Sequence, residues 1–353
     1  MESWGPYVTS QPYNYYLDEL LYRRTGDGIW ARRVESGLRW LASKQNLDGG
    51  PCHGAFPPIA PGRGEGIGFY KCREYEVEHN AFAADWLYRL SNLLRDRAPD
   101  LSEVALTMAR SALHFVLNQI LPDGGVPAKV TPKGVRSVAV TPGHTLLLLR
   151  RVRSTEGGAE VLEAERKVEA WTRRNSLAKL HFHGAHPDLQ PEELEEASLY
   201  NVAQYYLERF EETRDAEYLR IAESLACLGL LWQCPKQLSW VDNPTQGAAA
   251  EQTHYLQYSV YSYNCEKFTF LIRLSAYTGD RFYREEARHL LGRNFFTLVR
   301  EGEWEGAVAE RICDPWNARG EGYNSFGNLY IGELATELLL QALDLEQMLG
   351  SGA

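Results

Sequence analysis

The sequence predicts an all-α fold: one domain spanning residues 1–353, built as a closed or nearly closed ring of helical hairpins with six inner and about five outer helices. Three observations predict it. A dipeptide of the Tyr-Asn type recurs at Tyr13-Asn14, His79-Asn80, His144-Thr145, Tyr200-Asn201, Tyr263-Asn264 and Tyr323-Asn324, at spacings of 66, 65, 56, 63 and 60 residues. Each occurrence leads into an apolar segment of helical period. Three of these segments end in a Thr-x-Asp turn, at Thr25 to Asp27, Thr213 to Asp215 and Thr278 to Asp280, after which a second amphipathic helix begins.

The inner helices are read in order as "YYLDELLYRR", "AFAADWLYRLSNLL", "TLLLLRRV", "VAQYYLERFEE", "FTFLIRLSAY" and "LYIGELATELLLQAL". The outer helices are "ARRVESGLRWLASKQ", "EVALTMARSALHFVLNQ", "AEVLEAERKVEAWTRR", "EYLRIAESLACLGLLW" and "FYREEARHLLGRNFFTLV", each with one apolar and one charged face. In the Thr-x-Asp turns, glycine suits a left-handed C-cap and Asp suits the N-cap of the following helix. Asn of the Tyr-Asn pair is read as an N-cap of the inner helix. Period-two strand patterns are nearly absent. The links from outer to inner helices are long, about residues 46–77, 121–140, 176–195, 235–258 and 300–321. They emerge on the face where inner helices start, and long loops in a compact domain usually carry function.

Composition narrows the function. A net charge of -10 without a basic run argues against nucleic acid and anionic membranes as partners. No window holds the apolar stretch a membrane span needs, and the opening "MESWGPYVTSQPYNYY" lacks the pattern of a signal peptide. A soluble, cytoplasmic protein is expected, or a secreted or periplasmic one if a leader has been removed. The six cysteines lack CxxC spacing, so a disulfide framework is not expected and most read as buried thiols. Cys52, His53 and Cys72, or His181, His183 and His186, could each surround zinc, but neither group has a metal-site spacing. No metal or cofactor is expected. The segments "QNLDGGP" from Gln45 and "QILPDGGVP" from Gln119 read as helix C-termini followed by glycine turns.

Chemistry is expected at the loop-rich mouth. Converging helix N-termini there favour an anionic ligand. Seven of the nine histidines fall in links or at inner-helix starts, where only His114 and His289 do not. The second inner start, "FYKCREYEVEHN", brings Tyr75, Glu76, Glu78, His79 and Asn80. The later links bring Glu196, Trp240, Glu251, His254, Tyr261, Tyr263, Asn264, Glu266, Arg311, Asp314, Trp316 and Tyr323.

Together the sixfold hairpin, the starts "EHNAFAADWL" and "YNSFGNLYIGEL", the "TGD" turns and the "QxxDGG" segments resemble the six-hairpin, (α/α)6-toroid class of carbohydrate-active enzymes. That resemblance covers the whole chain and implies a glycoside hydrolase, a polysaccharide lyase or a sugar epimerase acting on a carbohydrate; a non-catalytic glycan-binding toroid, with Trp240 and Trp316 as a stacking platform, is the alternative. Two sets of residues then compete. A hydrolase needs two carboxylates across the scissile bond, from Glu76 or Glu78, Glu196, Glu251 or Glu266, and Asp314. A β-eliminating lyase needs a carboxylate neutraliser and a Tyr or His to move the C5 proton. The mouth is richer in Tyr, His and Asn, so a lyase is the preferred expectation. In that reading Tyr263 or Tyr261, supported by His79 or His254, serves as base and acid; Arg311 with Asn80 or Asn264 holds the uronate; Trp240 or Trp316 stacks on the sugar; Tyr75, Tyr323 and Asp314 complete the binding surface.

Overall fold

The structure is a computed structural model that describes residues 8–58, 74–184, 194–233, 260–261, 266–296, 308–313, 327–330 and 343. The chain divides into two compact units, Met1–Glu192 and Glu193–Ala353. Among the described residues no helix is long and apolar enough to cross a membrane.

Among the described residues ten α-helices form five consecutive hairpins: α1 (Gln11–Thr25) with α2 (Gly28–Ala42), α3 (Val77–Leu94) with α4 (Pro99–Gln119), α5 (Gly143–Thr155) with α6 (Ala159–Thr172), α7 (Glu196–Thr213) with α8 (Ala216–Leu230), and α9 (Glu266–Thr278) with α10 (Arg281–Phe296). Within the first unit α1 packs on α3 and α3 on α5; within the second, α7 packs on α9. Odd-numbered helices are therefore the inner layer, and burial agrees. Twelve residues of α3 are buried, against Val34, Leu38 and Leu41 alone in α2, which has one wet side.

The Thr-x-Asp turns form as the sequence predicts. Gly26 and Gly279 take left-handed φ of 71° and 73°, and Arg214 takes the same conformation at 60°. In each turn the Asp side chain caps the next helix, accepting from Ile29 N at 2.9 Å, Glu217 N at 2.9 Å and Phe282 N at 2.8 Å. The Thr hydroxyl accepts from the Asp N–H at 3.2 Å in all three.

The reading of Asn as an N-cap needs correction. Helix α3 begins at Val77, with extended Glu76 as its N-cap, so Asn80 lies one turn inside; α1 and α7 likewise start before Asn14 and Asn201. Asn80 instead donates to the carbonyls of Glu76 (2.8 Å) and Phe56 (3.1 Å) and accepts from Phe56 N at 2.6 Å. It pins the first link to the inner helix. The repeated tyrosine is a packing residue in repeat four, where the Tyr200 ring fills the space beside Gly229 that a Cβ would occupy.

Short strands occur where few were expected. Strand β1 (Tyr75–Glu76) pairs with β3 (Lys129–Val130), and β2 (Val126–Pro127) with β4 (Ala139–Val140), all antiparallel. A three-stranded antiparallel sheet joins β5 (Val260–Tyr261), β6 (Val308–Cys313) and β7 (Gly327–Tyr330) in the order β5-β6-β7. Strand β7 overlaps the expected start of the sixth inner helix at Leu329. Pairing with β6 satisfies that backbone, which no periodicity within the segment could reveal. The remainder of that helix lies outside the described residues, apart from helical Leu343.

Candidate functional site

The first unit brings the richest constellation together at the start of α3. Glu76 is extended in β1, tied to the second link by pairing with Lys129, and its carboxylate is buried. One turn on, His79 Nδ1 contacts the Glu76 carboxylate. The His79 side chain keeps 29% exposure, enough to meet a ligand, while Glu76 keeps 3%. A buried carboxylate on Nδ1 fixes the orientation of the ring.

His144, at the start of α5, lies beside this dyad. Burial pushes its imidazole down to about 3, and the neighbouring His79 pushes it further in the same direction. Its ring meets Phe82 edge-on at 5.0 Å between centroids. His144 is thus a neutral imidazole next to an orientable one.

Glu78 does different work. It is buried, and its carboxylate accepts from the Thr145 hydroxyl, His144 N at 2.8 Å and Thr145 N at 3.4 Å, so it joins the N-termini of α3 and α5. Burial raises its carboxyl to about 7, against the lowering effect of those donors. The folded state holds this proton more tightly than the unfolded chain, so the contribution is full below the ordinary 4.5 and declines as pH rises to about 7. We expect the unfolding free energy to fall over this window by on the order of 3 kcal/mol. Chemical denaturation across pH should show the decline in the parent chain and lose it in Glu78→Gln; an identical profile in both would remove Glu78 as its source.

The second unit repeats the device with another chemistry. Glu196 opens α7 and pairs with Lys267 Nζ at 2.6 Å, both side chains fully buried. The Lys267 ammonium also sits 5.2 Å over the Tyr200 ring. An ion pair so enclosed leaves Glu196 no route to a substrate.

The fate of the expected site residues is therefore uneven. Glu76, Glu78, His79 and Asn80 do come together at the start of α3, while Tyr75 is held by Asn46, whose Nδ2 donates to its hydroxyl at 3.3 Å. Asn80 is fully buried and spent on backbone groups, and this corrects its expected role on a sugar carboxylate. Glu78 and Glu196 each join two inner-helix starts, through Thr145 and Lys267. The backbone of Tyr261 pairs with that of Arg311 across β5 and β6, and Glu266 opens α9. Tyr263, Asn264, His254, Trp240, Glu251, Asp314, Trp316 and Tyr323 lie outside the described residues. His144 and Lys267 were not singled out; the signals were the His-Thr variant of the repeated dipeptide and a lysine directly before the apolar segment that begins at Phe268.

Among the described residues no group of three or more His, Cys, Asp or Glu is placed to hold a metal ion. The Cys52 thiol is buried, pushed up to about 11 by that burial, and directed at the carbonyl of Thr131 at 3.4 Å. Cys227 is exposed.

No protein family and no curated protein matches the sequence. Solved structures do match in fold. A GH76 alpha-mannanase of Bacteroides thetaiotaomicron superposes with a TM-score of 0.65 at 14% identity, over 99% of this chain and 89% of that one. The cellobiose 2-epimerase of Spirochaeta thermophila gives 0.66 at 12% identity, over 97% and 87%. An unsaturated glucuronyl hydrolase specific for heparin gives 0.61 at 14% identity, over 95% and 85%. The chain has the all-α, (α/α)6-toroid fold of these carbohydrate-processing enzymes.

Proposed function

We propose that the chain is a carbohydrate-active enzyme whose single catalytic domain spans residues 1–353, and that it works as a polysaccharide lyase on a uronic-acid-containing poly- or oligosaccharide. The observation that carries this reading is the Glu76–His79 dyad, a partly exposed imidazole held by a buried carboxylate at two adjoining helix N-termini. Two carboxylates that a hydrolase would draw on, Glu78 and Glu196, are engaged elsewhere. The heparin-specific glucuronyl hydrolase among the fold neighbours supports an acidic sugar.

In the proposed reaction His79 takes the C5 proton of the uronate. The electron pair moves into the C4–C5 bond as the C4–O bond breaks. Tyr263, Tyr261 or His254 protonates the departing oxygen, while Arg311 and Asn264 neutralise the carboxylate and Trp240 or Trp316 stacks on the ring. The products are a 4,5-unsaturated uronate and a shortened chain.

A second reading, a sugar epimerase, is supported by the cellobiose 2-epimerase among the fold neighbours. One experiment separates the readings. Incubation with acidic polysaccharides in deuterated buffer should produce ultraviolet absorbance from the conjugated product. Deuterium incorporation without absorbance would replace the lyase by the epimerase, and new reducing ends with neither would return the argument to a hydrolase.

A further inference from the structure

Two segments in which a Gln is followed by Asp-Gly-Gly, from Gln45 and from Gln119, are brought together by the structure. Gln119, at the end of α4, donates from Nε2 to the Pro51 carbonyl at 3.0 Å, so the second segment is anchored on the first. Its Oε1 accepts from Arg136 Nε at 3.1 Å, and Arg136 Nη2 donates to the Asn118 carbonyl at 2.7 Å. Between them opens a cleft of about 330 Å³ lined by Gly49, Gly50, His53, Asn118, Gln119 and Arg136, among others. That volume is at the lower end of small-ligand sites and suits one sugar ring.

Among the described residues the lining is rich in donors and holds no carboxylate. His53 Nδ1 accepts from Gly49 N at 3.2 Å, which places the ring proton on Nε2. The Asn118 side-chain amide and the Gly50 N–H make no hydrogen bond among the described residues. Arg136 is held by two of its N–H groups, leaving the rest of a planar donor fork in a fixed orientation. Val135, beside Arg136, is 63% exposed and adds an apolar surface.

Position ties the cleft to the dyad. Arg136 bridges to Val130, and Val130 pairs with Tyr75, the residue before Glu76. The backbone of Arg136 therefore stands two strand spacings, about 10 Å, from Tyr75, on the Tyr75 face of the pairing and opposite the face of Glu76.

We propose that this cleft is an accessory subsite that binds the carboxylate of a second uronic acid unit on the chain whose reacting unit meets His79. The proposal rests on the acidic-sugar reading above and deepens it: the substrate is an oligomer with more than one acidic unit, and Arg136 reads the additional charge.

The test is calorimetric titration of the full chain with oligogalacturonate and oligomannuronate tetramers, with cellotetraose as the neutral control. At least one acidic tetramer should bind, and Arg136→Gln should weaken it about tenfold or more, the loss of a charge-assisted pair, without changing the response to cellotetraose. Asn118→Ala removes a donor whose side chain anchors nothing, and it should weaken the same tetramer if Arg136→Gln fails to fold. Undiminished acidic binding in the variants, or no acidic binding by the parent chain, overturns the subsite. Titrating His79→Ala keeps the two claims apart. If this variant still turns over substrate, the dyad mechanism fails, while an Arg136-dependent affinity would leave the subsite standing.

Discussion

His79→Ala is expected to lower kcat/KM on an acidic oligosaccharide by about 10² to 10⁴-fold, the usual worth of a positioned general base. The imidazole is partly exposed, so its removal opens no core cavity and the melting temperature should stay close to the parent's. Glu76→Gln tests the other half of the dyad. The amide keeps the size of the carboxylate, but it cannot hold the Nδ1 proton with a charge, so the ring loses its fixed tautomer. We expect a fall in kcat with little change in KM, and a shifted pH dependence in the residual activity. Full activity in His79→Ala would remove the dyad from the chemistry and return the role of base to Tyr263 or His254.

The largest stability effect should come from the second unit. Lys267→Met is expected to cost about 3 to 5 kcal/mol, because it leaves the Glu196 carboxylate buried without a cation. The pair is separated by 2.6 Å with neither side chain reached by solvent. Substituting both, Glu196→Gln with Lys267→Met, removes both desolvated charges and should recover most of that loss. Urea denaturation of the single and double variants measures the coupling. Turnover in the double variant should persist, since a carboxylate enclosed by its own lysine cannot reach a glycosidic bond. Loss of turnover with stability restored would make Glu196 catalytic after all.

The parts of this protein that were legible in sequence are those written by local rules. Thr25, Gly26 and Asp27 form a turn because a left-handed glycine, an i to i+2 cap and a threonine acceptor lie within three positions. The same holds at Thr278 to Asp280, and at Thr213 to Asp215 with Arg214 in the glycine's place. Helical period similarly marked the five described hairpins. His79 and Glu76 were both noticed, but their pairing is an i, i+3 contact that needed the helix start to be placed correctly.

What remained hidden depends on groups far apart in the chain. Glu78 had the composition of a catalytic acid, and its engagement with Thr145, 67 residues away, made it a link between helices. Asn80 had the appearance of a cap until Phe56, 24 residues earlier, claimed its amide. The donor cleft needed Gln119 to reach Pro51 and Arg136 to reach Gln119, neither of which any spacing announces. By itself the sequence determined the repeat, the hairpins and their turns, because helix period and capping are satisfied within a few residues. Only the tertiary structure decided which carboxylates are free for chemistry, since a buried carboxylate takes whatever distant donor or cation the packing brings to it, and that partner decides whether it can act on a substrate.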